Sequence, residues 1–166
     1  MTDKSILFFD DDPNNSNPSI DKNLGIVFVN IQGEKGMTTQ KIKSYITRIK
    51  GLKKVRAAYF DWDLTLSRQN SISYDDYKKA TIKNNLEFYF GSDKRQKALK
   101  DLFKEIKSKG GKLYILTRNG TAIYKHERDF FKEMMNKLQG NKDFNLKQLH
   151  YCPPSISKSA YIKKVN

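Results

Sequence analysis

Two carboxylates lie one residue apart at the end of a largely apolar stretch in the middle of the chain. Val55–Phe60 runs directly into Asp61, and Asp63 follows two positions later. Ligands of open α/β sheets bind at the carboxyl ends of strands, so both acids are expected at an active-site edge. Such a pair suits phosphoryl transfer, in which one carboxylate attacks phosphorus and the other moves protons. The alternative is a strand that simply ends in acidic turn residues.

Two other apolar stretches also end in side chains suited to this chemistry. Ile6–Phe9 ends at the acids Asp10 and Asp11, and Lys112–Thr117 ends in a hydroxyl. Phosphate and carboxylate repel each other, so a hard divalent cation with oxygen ligands is needed between them. A second carboxylate from position 10 or 11 meets that need.

The elements that position these residues form an α/β pattern. Apolar runs without alternation are typical of strands buried on both faces of a parallel sheet. They are 6–9, 25–31, 55–60 and 112–117, with a weaker fifth at 148–152. Amphipathic stripes predict helices at 39–50, 94–109 and 130–138 between them, whereas 12–23, rich in Asn, Ser and Pro, is predicted to be a loop. The expected fold is a three-layer Rossmann-like sandwich with a mainly parallel sheet.

Length and composition narrow the function classes. A chain of 166 residues with 37% hydrophobic content is expected to form one domain, residues 1–166, whose closing stretch reads as a helix cut short. The net charge of +14 favours phosphorylated or polyanionic partners without specifying nucleic acid. The one cysteine, Cys152, excludes an internal disulfide and fits a reducing compartment, so a cytoplasmic location is expected. No apolar run approaches the roughly 20 residues of a membrane span.

The acidic strand end in the middle of the chain resembles the first motif of the haloacid dehalogenase (HAD) phosphatases, Asp-x-Asp-x-Thr after an apolar strand. The resemblance implies that Asp61 is a nucleophile that becomes an aspartyl-phosphate and that Asp63 is the general acid and base. It also implies that Asp61, through its side chain, and Asp63, through its carbonyl oxygen, bind Mg²⁺. Thr65 is expected to support the site, and Trp62 to shape its entrance on the substrate side.

The segment 113–120 is similar to the second motif of this family, a strand that ends in Ser or Thr. By that resemblance the hydroxyl of Thr117 donates a hydrogen bond to the transferring phosphoryl group. The neighbouring Arg118 or Asn119 is expected to add a donor to the phosphate oxygens.

The third and fourth motifs of the family, a lysine and an acidic strand end, stand in an unusual order in this chain. Lys158 resembles the third, with Lys163 and Lys164 as less favoured candidates, whereas the fourth matches Asp10 and Asp11 at the opposite end. The chain therefore resembles a circular permutant, in which the break point has moved. Asp10 is favoured over Asp11 as the direct magnesium ligand by analogy with the first acid of the motif.

The expected substrate follows from how little chain is inserted between the motifs. The interval 67–93 has room only for a helix and a loop, so the cap is minimal or absent and the site is open. Capless members of the family imply a phosphoprotein substrate, with phosphotyrosine favoured, and a secreted effector acting in a host cytosol is the alternative location. A nucleic-acid end phosphatase and an inactive basic binding module with the same fold are the alternative functions.

Overall fold

Five strands form one sheet in the computed structural model, which describes residues 4–33, 35–70, 82–125 and 127–166. All strand pairings in these residues are parallel, and the strand order is β2-β1-β3-β4-β5. The strands are β1 Lys4–Asp10, β2 Ile26–Asn30, β3 Lys54–Phe60, β4 Lys112–Thr117 and β5 Leu149–Tyr151. The prediction of an α/β fold with a mainly parallel sheet is confirmed, including the weak fifth strand.

Six helices connect or follow the strands in the described part of the chain. They are α1 Pro18–Leu24, α2 Thr39–Lys50, α3 Ile82–Phe90, α4 Asp93–Ser108, α5 Asp129–Gln139 and α6 Lys158–Val165. The three predicted helices correspond to α2, α4 and α5 and are confirmed, because each predicted boundary lies within one residue of the observed one. Hydroxyl side chains of Thr38, Ser92 and Ser157 cap the N-termini of α2, α4 and α6.

The prediction that residues 12–23 form a loop is wrong. A short 3₁₀ turn, Pro13–Asn15, is followed there by α1. The Asn17 side chain accepts a hydrogen bond from the amide of Ile20, and Pro18 occupies the first turn, where its missing N–H costs nothing. Asn and Pro therefore act in this segment as helix-start residues rather than as helix breakers.

Alternate residues of the strands enter two separate apolar layers, one on each face of the sheet. Phe9 and Phe60 belong to the larger layer, which α2, α4 and α5 cover, and their rings stack with centroids 4.5 Å apart. Phe8 and Tyr59 face the smaller layer, which includes Ile162 of α6. Helices therefore cover both faces of the sheet, which explains why its strands are apolar at consecutive positions.

The strand order brings the two acidic strand ends together. The connection from β1 leads to β2 on one side, and the chain then crosses back to β3 on the other, so the order reverses between β1 and β3. Phe9 pairs with Phe60 in register, and the amide of Asp61 donates to the carbonyl oxygen of Phe9 over 2.9 Å. Ligands of doubly wound sheets bind at such a reversal point, outside the carboxyl ends of the strands.

A wide turn, Trp62–Leu66, leads the chain away from β3. Leu64 has a φ of 57°, a left-handed conformation that is strained for a branched side chain. The guanidinium of Arg95 donates to the carbonyl oxygens of Thr65 and Leu66 over 3.1 and 2.9 Å, and so holds the end of the turn. Residues 71–81 of the interval 67–93 lie outside the described residues, so a minimal cap stays a prediction, and α3 occupies much of the remainder.

Candidate functional site

A buried cation bridges the two acidic strand ends. Asp10 is the last residue of β1, Asp61 directly follows β3, and Lys158 begins α6. The Lys158 Nζ lies 2.7 Å from Asp10 Oδ2 and 2.7 Å from Asp61 Oδ1. Asp10 is 0% exposed, Asp61 is 7% exposed and Lys158 is 2% exposed. Burial of a charge costs much free energy unless the charge is paired, so the two carboxylates and the lysine stabilise one another in this buried site.

Donors of the chain that follows β1 hold the Asp10 carboxylate in place. The amide of Asp12 donates to Asp10 Oδ1 over 2.8 Å, and the Asn15 side-chain amide lies 3.2 and 3.1 Å from the two oxygens. The short turn Pro13–Asn15 brings Asn15 back toward the strand end. The orientation of Asp10 is therefore set by its own segment as well as by Lys158.

Asp10, Asp11 and Asp61 form a cluster that can hold a metal ion. Each offers one carboxylate oxygen, and these oxygens lie within 4.8 Å of one another. Carboxylate oxygens are hard donors, so the chemistry of the set fits Mg²⁺, Mn²⁺ or Ca²⁺ better than a thiolate- or imidazole-seeking ion. The predicted meeting of the two acidic strand ends is confirmed, and both Asp10 and Asp11 lie there, while the identity of the ion is not decided by their geometry.

Burial shapes the protonation of this cluster. It raises the pKa of Asp61 to about 8, with the charge of Asp10 adding to the effect and that of Lys158 opposing it. Burial, and next the charge of Asp10, also raise the pKa of Asp11, which shares a side-chain hydrogen bond with Asp61. For Lys158, burial alone lowers the pKa, but Asp61 and Asp10 outweigh it, so its pKa is raised and it stays a cation.

The second acid of the β3 end, Asp63, lies beside residues of the β4 end. The side-chain nitrogen of Asn119 is 3.4 and 3.3 Å from the Asp63 carboxylate oxygens. The Asn119 Oδ1 accepts from the amide of Thr121, which sets the orientation of the side-chain amide. Thr117 is buried and its oxygen accepts from the amide of Asn119 over 3.0 Å, so its hydroxyl proton is left for another acceptor.

Trp62 does not shape an entrance, and that prediction is wrong. Its side chain is 1% exposed and packs against four aromatic rings, with centroids 5.1 to 6.1 Å away. These rings belong to Tyr89, Phe90, Phe130 and Phe131. Burial of an aromatic surface of this size stabilises the fold, so Trp62 anchors the turn in the core instead.

Arg118 is engaged within the protein rather than free for a phosphate, so its predicted role is also wrong. Its two terminal nitrogens donate to Asn15 Oδ1 over 2.9 Å and to the carbonyl oxygens of Ile156, Cys152 and Pro153. Its four terminal N–H groups are met by these four oxygens and by the sulfur of Cys152. Asn119 faces Asp63 and is the one of the two predicted donors that lies at the site.

Thr65, which is expected to support the substrate side of the site, is fully buried. Its hydroxyl has no hydrogen-bond partner among the described residues, while its carbonyl oxygen accepts from the amide of Met37 over 3.2 Å and from Arg95. Thr65 therefore joins the turn to the loop after β2. Gly36 allows that approach, because a Cβ there would lie 2.8 Å from the Thr65 carbonyl oxygen.

Asn15 and Arg95 were not identified from the sequence. Asn15 lies in a segment whose composition is typical of a loop. Its position five residues after Asp10 is the signal in the sequence that could have identified it as a partner of that carboxylate. Arg95 had no such signal, because one buried arginine among 32 basic residues looks like any other surface cation.

Comparison of the chain with protein-family models, with curated proteins and with solved structures finds no match. Among the described residues, none of the helices has the length and apolar character needed to cross a bilayer.

Proposed function

We propose that this protein is a magnesium-dependent phosphomonoester hydrolase that works through an aspartyl-phosphate. The observation that carries the proposal is the convergence of Asp10, Asp11 and Asp61 on Lys158 at the point where the strand order reverses. Buried carboxylates gathered around a lysine are costly to maintain for stability alone, and such clusters are typical of functional sites.

Each residue of the site has a role in this proposal. Asp61 and Asp10, with Asp11 and the Asp63 carbonyl oxygen as further ligands, would hold Mg²⁺. When bound, the ion acts as a Lewis acid that withdraws negative charge from the phosphoryl oxygens. Lys158 neutralises charge on the nucleophile and the phosphoryl group, and the Thr117 hydroxyl donates to a phosphoryl oxygen.

The reaction has two steps, and Asp63 gives up a proton in the first and regains one in the second. A carboxylate oxygen of Asp61 forms a bond to phosphorus while the bond to the leaving oxygen breaks, and that oxygen takes a proton from Asp63. Asp63 then removes a proton from water, whose oxygen attacks phosphorus and breaks the bond to Asp61. Inorganic phosphate leaves, and Asp61 returns as a carboxylate.

A HAD-like, circularly permuted fold is part of the same proposal. The strand that carries Asp10 lies directly beside the strand that carries Asp61, and α6, which carries Lys158, lies against the start of α1 through a hydrogen bond from the Asn17 amide to Ser159 Oγ. The four motifs thus support one site although their order along the chain differs from that of the family.

The proposed substrate is a phosphoprotein, with phosphotyrosine favoured. A nucleic-acid end is the second candidate, because a net charge of +14 attracts polyanions. The two are separated by measuring turnover of phosphotyrosine peptides and of oligonucleotides phosphorylated at either end, at two salt concentrations. Turnover confined to the oligonucleotides, and weakened steeply by salt, would replace the phosphoprotein assignment.

The reaction type is tested by phosphate release with Asp61→Asn. We expect Mg²⁺-dependent release from an aryl phosphate to fall by at least about 10³-fold, since the nucleophile is lost. EDTA should abolish the wild-type rate. Asp101→Asn is the matched control, because that exposed carboxylate pairs only with Lys97 in the described structure and should leave the rate unchanged. Activity that survives Asp61→Asn would rule out the aspartyl-phosphate.

A further inference from the structure

Arg118 occupies a junction between three segments that are distant in the sequence. It directly follows β4, and its side chain reaches the turn after β1 and the loop that connects β5 to α6. Its partners Asn15 and Ile156 lie 103 and 38 positions away along the chain. Both segments lead directly to site residues, Asp10 in one case and Lys158 in the other.

The first connection runs through Asn15 to Asp10. Arg118 Nη2 donates to Asn15 Oδ1 over 2.9 Å, and the Asn15 side-chain nitrogen faces both oxygens of Asp10 at 3.2 and 3.1 Å. A guanidinium only donates and a carboxylate only accepts, so this arrangement allows a single orientation of the Asn15 amide. Arg118 thereby turns the side-chain nitrogen of Asn15 toward the carboxylate.

The second connection runs through the loop before α6. Arg118 donates to the carbonyl oxygen of Ile156 over 2.8 Å, and also to those of Cys152 and Pro153. Ile156 lies two positions before Lys158. The intervening Ser157 accepts from the amide of Ala160 and so caps α6 at the point where Lys158 enters the site.

We propose that Arg118 is a positioning residue that orients Asp10 through Asn15, and Lys158 through the loop 152–157, for binding a divalent cation. It does not contact substrate. Asn15 hydrogen-bonds directly to Asp10, and side chains in such a position typically change metal affinity by about 10- to 100-fold when removed, because they orient the ligand and set its basicity. Arg118 acts through Asn15 and through the loop before Lys158, so we expect its removal to have an effect of the same order. The inference rests on the metal site of the proposed function, and concerns metal affinity rather than turnover.

The test is the dissociation constant for Mn²⁺, measured by calorimetry on the full chain without substrate. Arg118→Gln is expected to weaken Mn²⁺ binding by about 10- to 100-fold. Arg128→Gln is the matched control, since Arg128 is also half-buried and donates to two carbonyl oxygens, those of Leu146 and Leu149, without contacting the site. That control should bind Mn²⁺ within about twofold of the wild type, even if it loses comparable stability.

A second variant covers the case in which Arg118→Gln does not fold. Asn15→Ala leaves the bonds from Arg118 to the loop 152–157 in place and removes the connection to Asp10, so it should weaken Mn²⁺ binding by about 10-fold. Unchanged Mn²⁺ affinity in both variants, or a raised KM for an aryl phosphate with unchanged Mn²⁺ affinity in Arg118→Gln, would overturn the inference and return Arg118 to the substrate side.

The outcomes also separate this inference from the proposed function. A wild type that binds Mn²⁺ but releases no phosphate refutes the hydrolase assignment, and the Arg118→Gln affinity still decides the role of Arg118. A wild type that hydrolyses phosphate while Arg118→Gln keeps full Mn²⁺ affinity refutes the inference alone. A wild type that binds no divalent cation overturns both.

Discussion

The ends of β1 and β3 look alike in sequence but differ in how they hold their carboxylates. Each is an apolar strand that leads into Asp-x-Asp, and the two strands are neighbours in the sheet. At the β1 end, Asp10 receives hydrogen bonds from Asp12 and Asn15, both from the segment directly after the strand. At the β3 end, Asp61 interacts with Lys158 and Asp11, which come from elsewhere in the chain.

This difference separates a carboxylate suited to holding a ligand from one suited to reacting. Donors from its own segment add to the contact with Lys158 and hold both oxygens of Asp10. Asp61 has no such support in the described residues, and burial raises its pKa, so its state depends on the cation beside it. A nucleophile must exchange partners during a reaction, whereas a metal ligand gains from a fixed position.

The largest expected difference between the two strand ends concerns their second acids, Asp63 and Asp12. Asp63→Asn should lower kcat by about 10²- to 10⁴-fold, because proton transfer to the leaving group is lost, while Mn²⁺ affinity stays near that of the wild type. Asp12→Asn is the equivalent change at the β1 end. Asp12 is exposed and accepts from the amide of Asn14, so kcat should change little. Equal losses of kcat in Asp63→Asn and Asp12→Asn, measured by steady-state assays, would show that the two strand ends do not differ in this way.

Removing the cation that joins the two ends should cost stability. Lys158→Met leaves Asp10 and Asp61 buried without a partner, and we expect the free energy of unfolding to fall by about 3–5 kcal/mol in EDTA. Added Mg²⁺ should recover part of that loss by replacing the positive charge. Lys163→Met on the exposed side of α6 is the control for urea denaturation. If both variants lose the same amount, the bridge contributes nothing specific.

The turn after β3 should matter for stability more than for chemistry. Trp62→Phe removes part of a ring that packs against Phe131 and Phe90 in the core, so the free energy of unfolding should fall by about 1–3 kcal/mol. Since Trp62 is buried away from solvent, kcat and KM should stay within about threefold. A tenfold rise in KM with unchanged stability would show that Trp62 contacts the substrate after all.

The last expected effect is a pH dependence of the metal-free protein that originates at the β3 end. The pKa of Asp61 is raised to about 8 by burial, whereas an unfolded Asp titrates near about 3.9. The folded state therefore binds a proton that the unfolded state releases between these values, and its contribution to stability is lost as pH rises toward 8.

In thermal denaturation with EDTA, the melting temperature should accordingly fall as the pH rises from about 5 to about 8. The asparagine in Asp61→Asn cannot titrate, so this variant should show a shallower decline than the wild type. Parallel curves for the two proteins would mean that Asp61 does not titrate in this range, and the contrast with Asp10 would lose its electrostatic basis.

Local patterns were enough to predict most of the elements and the acids of the site. Continuous apolar runs identify buried strands because both faces of the sheet are covered, and amphipathic stripes identify α2, α4 and α5. Asp10 and Asp61 were identified because the carboxyl ends of parallel strands lie at one edge of the sheet, and Lys158 because of its resemblance to a family motif. The helix α1 was missed because Asn17 and Pro18 favour both loops and helix starts.

Sequence alone determined which residue types stand at the strand ends, since that depends only on neighbours along the chain. Tertiary structure decided which ends meet, and what Trp62, Arg118 and Arg95 do. The reason is physical: burial and hydrogen-bond partners depend on groups from distant segments, as the 103 positions between Arg118 and Asn15 illustrate. Arg118, whose position in the sequence suggests phosphate binding, therefore donates its hydrogen bonds to atoms of the protein once the chain has folded.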